Sequence, residues 1–348
     1  MSGILKGDTV VIKDKGEAST LYNRGNYGYP LSGGGSELDL IEATYLLECG
    51  RLEIEKGKHG MTFEAMFNYA SGRCQDFDIQ YIAYRDMRQR GFVVKNESGY
   101  FDMAVFPRGK TLSNSRPQYY LVAVSERASS GIDIFKECLE ETYSKGKQLL
   151  YCVVDEEADP TYYVMSRREP KGKIEVMPSG TIMGKMVRDR VFVFDSDSCM
   201  ELRSGGFYGK MIDNVLQLSL VEACSLMEHG ILQVTDYEDR EVQHDDIIKF
   251  GRDTQDDFDL RMTTYRDLRE RGLVVKTGFK YGTHFRVYEE SPDDCHAKFL
   301  VHSVSGDNVT MWPEISRAVR LSGGVKKEIL FARITEGVEY FEFKWFRP

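Results

Sequence analysis

The sequence predicts a mixed α/β fold built from two tandem copies of one unit, each with a small N-terminal α/β domain and a C-terminal α/β domain around a central mixed sheet. Three observations predict this fold. The chain repeats itself at a nearly constant spacing, each copy mixes helical and extended patterns, and a segment rich in proline and glycine separates the copies. At 348 residues, the chain is long enough for two copies that each bury a core.

The repeat is clearest where FDIQYIAYRDMRQRGFVVK (77–95) matches FDLRMTTYRDLRERGLVVK (258–276), with eleven of nineteen residues identical at an offset of 181. A period of this length indicates a duplicated domain rather than a solenoid of short repeats. Two further pairs of segments match at offsets of 181 and 180: LYNRGNYG (21–28) with LRSGGFYG (202–209), and LIEATYLLECG (40–50) with LVEACSLMEHG (220–230).

The domain boundaries follow from the repeat and from the turn-forming residues between the copies. Pro170, Gly172, Pro178 and Gly180 mark the segment that joins them. The predicted divisions are an N-terminal domain (1–75) and a C-terminal domain (76–168) in the first copy, a linker (169–182), and an N-terminal domain (183–256) and a C-terminal domain (257–348) in the second copy.

Helices and strands are predicted most clearly in the second copy. Apolar residues recur at helical spacing over 220–227, and Gly230 is suited to end that helix. The segment YRDLRERG predicts another helix, which ends at Gly272. Further along, a helix is expected over 312–321, and strands rich in Val, Phe and Tyr over 273–276, 285–288, 298–304, 328–334 and 339–346.

Composition excludes several classes of protein. Hydrophobic residues make up 41% of the chain and charged residues 29%, a globular balance rather than a disordered one. No apolar run approaches the roughly 18 residues of a membrane span, and the N-terminus does not resemble a signal peptide, so we expect a cytoplasmic protein without a membrane partner. The seven cysteines form no CxxC pair, which argues against a disulfide framework and a zinc site. We expect neither a metal nor a cofactor.

Charge is unevenly distributed along the chain. The net charge of −9 disfavours nonspecific binding of nucleic acid by the protein as a whole. Residues 236–259 hold ten acidic residues, a stretch to which the sequence assigns no role. By contrast, residues 316–348 hold seven basic residues against four acidic ones, so a local basic surface is expected near the C-terminus.

Polar residues that differ between the copies indicate where chemistry could occur. When the two copies are aligned at an offset of 181, Tyr288 corresponds to Pro107, and His296 corresponds to a region of the first copy that has no histidine. Lys327 does have a counterpart, Lys147, at an offset of 180. Because only the second copy combines a tyrosine, a histidine and a lysine, it is the candidate catalyst.

A Tyr, His and Lys set suits metal-free cleavage of RNA. A base removes the proton of the ribose 2′-hydroxyl, an acid protonates the leaving 5′-oxygen, and a cation stabilises the charge on the phosphorane oxygens. A histidine, with an ordinary pKa near 6.5, is suited to the acid role. The ordinary pKa of a tyrosine is near 10, so a nearby lysine ammonium is expected to favour its phenolate.

An acidic segment, DEEADPTYY (155–163), occurs only in the first copy, where the second has TEGVEYF (335–341). Composition alone favours a solvated turn. Its presence in one copy only makes a docking role a second interpretation.

The segment RDLRERGLVVKTGFKYGTHFRVYEE (266–290), His296 and the segment AVRLSGGVKKEILF (318–331) together resemble the C-terminal catalytic domain of archaeal tRNA-splicing endonucleases. The LYNRGNYG-type motif and the closing KWFRP are also similar to that family, and the second half of the chain is the closer match. The resemblance implies a nuclease-like C-terminal domain in each copy, with the first copy as a structural pseudo-subunit. It also implies that two chains pair as a homodimer, a pseudo-tetramer with two active sites.

This resemblance implies an activity and a role for each residue of the set. Tyr288 would be the general base, His296 the general acid and Lys327 the residue that stabilises the transition state. The implied substrate is precursor tRNA, cut at both exon–intron junctions within a bulge-helix-bulge. The implied products carry 2′,3′-cyclic phosphate and 5′-hydroxyl ends, and no metal is needed.

The resemblance also implies contacts outside the catalytic set. Arg320 would stack on a flipped bulge base, and a second cation near the C-terminus, Lys344 or Arg347, would assist it. The implied docking loop, which contacts a catalytic unit of the other chain, comprises Asp155, Glu156, Glu157 and Asp159.

Two alternatives remain open at this stage. One is a metal-dependent nuclease in which Glu342 and Lys344 form an E-x-K site that activates a water molecule on Mg²⁺. The other is a non-catalytic RNA-binding or assembly subunit. A metal cluster of Cys295, His284 and His302 is disfavoured because their spacing is not a recognised ligand pattern.

Overall fold

The computed structural model describes residues 1–174 and 177–348, so residues 175 and 176 of the predicted linker lie outside the described residues. The chain divides into two compact units. The first comprises Met1–Ser166, Val309–Ile315 and Phe343–Pro348, and the second comprises Arg167–Asn308 and Ser316–Glu342. Two short segments of the second copy therefore belong to the first unit.

Both copies begin with a six-stranded sheet and three helices. In the first copy the elements are β1 Ser2–Lys6, β2 Thr9–Ile12, α1 Lys15–Gly25, β3 Tyr29–Pro30, β4 Ser36–Asp39, α2 Leu40–Glu48, β5 Glu53–Lys56, β6 His59–Gly60 and α3 Phe63–Ser71. The strand order is β3-β4-β2-β1-β5-β6. Only the pairing of β1 with β5 is parallel, which makes this a mixed sheet.

The C-terminal part of the first copy contains two longer helices and a strand arrangement of its own. Its elements are α4 Phe77–Gln89, β7 Val94–Asn96, β8 Met103–Val105, β9 Tyr119–Ser125, β10 Ser129–Gly131, α5 Ile132–Ser144, β11 Gln148–Val154 and β12 Pro160–Arg168. The strands pair in the order β7-β8-β9-β11-β12, with β9 and β11 parallel.

The second copy repeats both parts. Its N-terminal elements are β13 Ile182–Val187, β14 Arg190–Val193, α6 Ser196–Ser204, β15 Lys210–Ile212, β16 Val215–Ser219, α7 Leu220–Glu228, β17 Leu232–Thr235, β18 Glu241–Val242 and α8 His244–Thr254. Its C-terminal elements are α9 Phe258–Glu270, β19 Val274–Thr277, a 3₁₀-helix Phe279–Tyr281, β20 Phe285–Tyr288, β21 Phe299–Ser305, β22 Val309–Met311, α10 Trp312–Gly324, β23 Glu328–Ile334 and β24 Val338–Phe346.

The predicted fold class is confirmed, and so are the elements predicted in the second copy. The strand order β19-β20-β21-β23-β24 repeats that of the first copy, again with one parallel pair, β21 and β23. Helix α7 begins at a capping box, in which Ser219 and Glu222 satisfy each other's backbone N–H groups, and Gly230 follows its end with φ +69°.

A buried ion pair joins the N-terminal and C-terminal parts within each copy. In the second copy, Lys276 Nζ on β19 lies 3.0 Å from Glu222 Oε1 on α7 and donates to Gly209 O at 2.8 Å. In the first copy, Lys95 Nζ lies 2.5 Å from Glu42 Oε1. These contacts explain why the repeated motifs share a glutamate and a lysine.

In the ranges that the structure describes, no helix is both long and apolar enough to cross a bilayer.

Candidate active site

Tyr288 ends strand β20, where it pairs with Val274 on the antiparallel strand β19. Its side chain is 7% exposed and packs with Val274 and Ala297 in a small apolar cluster that Phe207 and Cys295 border. The alternation of FRVY determines this placement, because Phe285 and Val287 face the main core of the second unit and leave Arg286 and Tyr288 on the opposite face.

His296 lies in the loop between β20 and β21 and is exposed. The loop is ordered by hydrogen bonds to Ser291, whose carbonyl accepts from the backbone N–H groups of Asp294 and Cys295, both at 3.1 Å. The residues on either side of His296 pack toward the cluster around Tyr288: Cys295 borders it and Ala297 is part of it. Between Tyr288 and His296 the chain thus forms a hydrogen-bonded turn over residues 291–295.

Lys327 follows helix α10 and directly precedes β23. Its Nζ donates a hydrogen bond of 2.9 Å to the carbonyl oxygen of Ala297 and lies 5.9 Å from the centre of the Tyr281 ring. Ala297 therefore contacts both the lysine and the tyrosine, and His296 directly precedes it. The three residues predicted from the sequence meet around one short stretch of backbone.

The cation that acts on Tyr288 differs from the one expected. Burial raises the pKa of the Tyr288 hydroxyl, and Arg286 opposes that rise. The guanidinium carbon of Arg286 lies 5.9 Å from the centre of the Tyr288 ring, whereas Lys327 is engaged with Ala297. Arg286 thus has the role that was expected of a lysine.

Strand register corrects the counterpart of Tyr288 in the first copy. Val275 pairs with Val287 as Val94 pairs with Val105, so Tyr288 is equivalent to Phe106 rather than Pro107. The hairpin of the second copy is one residue longer, which shifts the offset from 181 to 182. The first copy thus keeps the aromatic ring and lacks the hydroxyl.

Sequence reasoning missed two residues of this site, Arg286 and Tyr281. Arg286 could have been found from its spacing, since residues two apart on a strand share a face. The register places Ala104 at the equivalent position of the first copy, so the arginine and the tyrosine hydroxyl are both confined to the second copy.

The predicted RNA-binding residues do not all lie in one unit. Arg320 is exposed on α10 and belongs to the second unit with Tyr288, His296 and Lys327. Lys344 and Arg347 are exposed and belong to the first unit, where the guanidinium carbon of Arg347 lies 4.4 Å from the centre of the Trp345 ring.

The residues considered for metal binding are engaged elsewhere. Glu342 is buried and its Oε2 lies 2.6 Å from Arg168 Nη1. His284 uses both ring nitrogens, since Nε2 lies 2.7 Å from Asp257 Oδ2 and Nδ1 accepts from the Ser303 N–H at 2.8 Å. Across residues 1–174 and 177–348, no three His, Cys, Asp or Glu side chains are grouped so that they could hold a metal ion.

The acidic loop connects β11 and β12. Asp155 Oδ1 accepts from the backbone N–H groups of Glu157 and Asp159 at 2.9 and 2.8 Å, which closes the turn. Glu156 pairs with Arg127. Glu157 and Asp159 are exposed, and neither forms an ion pair within the described part of the chain. The turn therefore presents two carboxylates to solvent.

A cavity of about 540 Å³ lies within the second unit, between the N-terminal and C-terminal parts of the second copy. Tyr288 and Arg286 form part of its wall. Among the residues that line the cavity, the basic ones outnumber the acidic ones, which are Asp189, Glu222 and Asp293. The basic ones are Arg190, Arg203, Lys210, Arg261, Lys276 and Arg286.

Comparison with known proteins relates both halves of the chain to one family. The family model described as tRNA intron endonuclease, catalytic C-terminal domain, matches residues 77–162 and 258–340. The model of the N-terminal domain of the same family matches residues 1–67 and 182–248.

Several curated proteins, each named tRNA-splicing endonuclease, are similar over nearly their whole length. The one from Methanococcoides burtonii is 37% identical over 339 residues, which cover 95% of this chain and 96% of the relative. The one from Methanosarcina acetivorans is 37% identical over 344 residues, 97% of each. The one from Halobacterium salinarum is 34% identical over 350 residues, 95% of this chain and 94% of the relative.

Proposed function

The chain belongs to the tRNA intron endonuclease family, and from that premise we propose that it excises introns from precursor tRNA by cutting both exon–intron junctions within a bulge-helix-bulge. The reaction is a metal-independent transesterification that leaves 2′,3′-cyclic phosphate and 5′-hydroxyl ends. The observation that carries this proposal is the convergence of Tyr288, His296 and Lys327 on the backbone around Ala297.

Each of the three residues has a role that follows from its chemistry. The phenolate of Tyr288 accepts the proton of the 2′-hydroxyl, whose oxygen forms a bond to phosphorus. As the bond from phosphorus to the 5′-oxygen breaks, the protonated His296 donates its proton to that oxygen. The Lys327 ammonium stabilises the negative charge on the non-bridging oxygens.

The surroundings of each side chain support these roles. Burial raises the pKa of the Tyr288 hydroxyl and so opposes the phenolate, and the nearby Arg286 guanidinium partly offsets that rise. His296 is exposed, so a substrate can reach it and it can regain a proton from solvent. Both proton transfers are assigned to side chains, and the mechanism therefore requires no cofactor.

The two alternative functions have less support. The E-x-K hypothesis needs the Glu342 carboxylate as a metal ligand, but that side chain is buried and paired with Arg168. A non-catalytic subunit gives no reason for the hydroxyl of Tyr288 and the histidine to be kept in the copy that also has Arg286.

RNA recognition is proposed to depend on shape and stacking. Arg320 is exposed in the same unit as the catalytic set and is available to stack on an unpaired base. Of the two C-terminal candidates we favour Arg347 over Lys344, because its planar guanidinium is already held against Trp345 and a base could extend that stack.

The chain is also proposed to pair with a second copy of itself. Glu157 and Asp159 of the acidic loop carry charge opposite to that of the cavity in the second unit, which the loop of a partner chain could enter. A two-fold dimer presents two active sites at a fixed separation, which suits a substrate with two junctions.

A substrate that lacks one hydroxyl group tests the proposed reaction. A bulge-helix-bulge RNA with 2′-deoxyribose directly before each scissile phosphate should bind the protein and remain intact, because the nucleophile is missing. The same substitution one nucleotide further upstream is the control and should leave cleavage unchanged. Cleavage of the first RNA would overturn the mechanism.

A further inference from the structure

The turn between β19 and β20 exposes an aromatic side chain. Phe279 opens the 3₁₀-helix Phe279–Tyr281 and is 86% exposed, more than any other large apolar side chain in the described residues. Exposing a phenyl ring to water forgoes the stabilisation that burial of such a side chain contributes. An exposed phenyl ring offers a face on which an unpaired base can stack.

Hydrogen bonds hold the turn in one conformation. The Tyr281 N–H donates to Gly278 O at 2.8 Å, and the Gly282 N–H donates to Phe279 O at 3.1 Å. A side chain on Gly278 would place a Cβ atom 2.3 Å from Thr283 Oγ1, so only glycine fits there. Because the backbone of the turn is fixed, binding at Phe279 orders its side chain but not the loop that carries it.

The same turn reaches the proposed active site. The ring of Tyr281, two residues after Phe279, lies 5.9 Å from Lys327 Nζ. Tyr281 also acts electrostatically on Tyr288, since it is one of the groups that raise the pKa of that hydroxyl. A nucleotide bound at this turn would therefore lie near a phosphate group bound at Lys327.

A positive charge accompanies the aromatic ring. Lys280 is exposed and forms no ion pair within residues 1–174 and 177–348. The corresponding hairpin of the first copy is one residue shorter, and its turn, residues 97–102, contains no lysine. Its one phenylalanine, Phe101, is buried, so the copy without the catalytic set presents neither an exposed phenyl ring nor an ammonium there.

We propose that Phe279 and Lys280 form a binding site for one unpaired nucleotide of the RNA substrate, whose base stacks on the Phe279 ring while a neighbouring phosphate faces the Lys280 ammonium. The inference rests on the proposed function, because it states how the proposed endonuclease would select unpaired RNA near its active site. Stacking accepts every base, since all bases have a π face, and a base paired within a helix is not available for it. The turn would therefore read the presence of a bulge rather than its sequence.

The experiment measures binding, so that it does not depend on catalysis. The RNA is the non-cleavable 2′-deoxy bulge-helix-bulge, labelled with fluorescein, and its Kd is measured by anisotropy beside that of a fully paired duplex. Phe279→Ala should raise the Kd for the bulged RNA roughly 5- to 150-fold, the range that corresponds to the loss of one stacked base. The Kd for the duplex should not change, and Phe279→Trp should bind the bulged RNA as tightly as the native chain.

Two matched variants complete the design. Phe194, 61% exposed in the same unit, provides the control, and Phe194→Ala should leave both Kd values unchanged. For the bulged RNA, the slope of log Kd against the logarithm of salt concentration should be smaller in Lys280→Ala, by the amount expected for about one phosphate contact.

Three results would overturn the inference: an unchanged Kd for the bulged RNA in Phe279→Ala, an equal loss on the duplex, or a shift of that variant from dimer to monomer in sedimentation. The last result would identify Phe279 as an interface residue. Failure of the native protein to cleave the all-ribose RNA would instead count against the proposed function, and the two failures are therefore distinguishable.

Discussion

Lys327 donates a hydrogen bond of 2.9 Å from its Nζ to the carbonyl oxygen of Ala297, the residue that follows His296. The lysine proposed to stabilise the transition state is therefore also tied to the loop that carries the proposed acid. Because Ala297 packs in turn against Tyr288, a change at any one of these positions is expected to affect the other two.

Removal of the catalytic set should abolish cleavage while binding is kept. We expect Tyr288→Phe and His296→Ala each to lower the single-turnover rate by about 10²- to 10⁴-fold, the usual contribution of one proton-transfer partner. Lys327→Ala should cost at least as much, since it also releases Ala297. The control is Lys147→Ala, at the equivalent position of the first copy, which should retain the native rate. A low rate in that control would show that the first copy takes part in catalysis and would contradict the assignment to the second copy.

Arg286 should determine the pH dependence of the rate. Burial raises the pKa of Tyr288 and the Arg286 guanidinium counteracts this, so Arg286→Ala should raise that pKa further. Fewer phenolates then exist at a given pH, and the acidic limb of the pH–rate profile should move to higher pH. Arg286→Lys keeps the charge and should restore most of the native profile. A variant that loses rate equally at every pH would show that Arg286 has only a structural role.

The buried pair of the first copy should make stability depend on pH. Burial, together with Asp39, raises the pKa of Glu42 from 4.5 to about 7. The folded chain thus holds a proton that the unfolded chain has lost above about pH 4.5, and stability should fall as the pH rises from 5 through 7. In the second copy Ser219 occupies the position of Asp39, and the pKa of Glu222 is lowered because Lys276 and backbone N–H groups outweigh its burial.

Asp39→Ser copies this arrangement into the first copy and keeps a helix cap. Urea unfolding midpoints should therefore decline less between pH 5 and pH 8 in the variant than in the native chain. Each unit by which the Glu42 pKa falls corresponds to about 1.4 kcal/mol of stability recovered at the alkaline end. Parallel pH profiles for the two proteins would contradict the assignment to Glu42.

The acidic loop should control assembly. The double variant Glu157→Lys with Asp159→Lys reverses the two carboxylates that the turn presents, and we expect the dimer to dissociate in sedimentation equilibrium at micromolar concentration. A matched pair, Asp245→Lys with Asp253→Lys, makes the same charge change in the acidic stretch 236–259 and should remain dimeric. If both double variants dissociate, net charge rather than the loop governs assembly.

Local patterns in the sequence were sufficient to predict the elements around the site. The Val- and Phe-rich runs over 285–288 and 328–334 became β20 and β23, because strands of this composition fit a pleated, half-buried surface. The comparison of the two copies, together with the family resemblance, selected Tyr288, His296 and Lys327 as candidates. Their convergence on Ala297 could not be predicted, because it depends on β20, β21 and β23 lying side by side.

Non-local packing limited the rest of the sequence-based prediction. The extra residue in the hairpin of the second copy hid the equivalence of Tyr288 and Phe106, which only the strand register reveals. The grouping of Trp312 with the first unit was equally hidden, since it reflects ring contacts with Phe135 and Tyr151, 5.5 and 5.0 Å away between ring centres. Sequence offsets carry no information about either contact.

The measurement that tests the central claim most directly is the digestion of a bulge-helix-bulge precursor tRNA by the native protein in EDTA, with both ends of each product identified. We predict two cuts, 2′,3′-cyclic phosphate and 5′-hydroxyl ends, and no cleavage by His296→Ala. Cleavage that requires Mg²⁺ and leaves 5′-phosphates would contradict this account of the site.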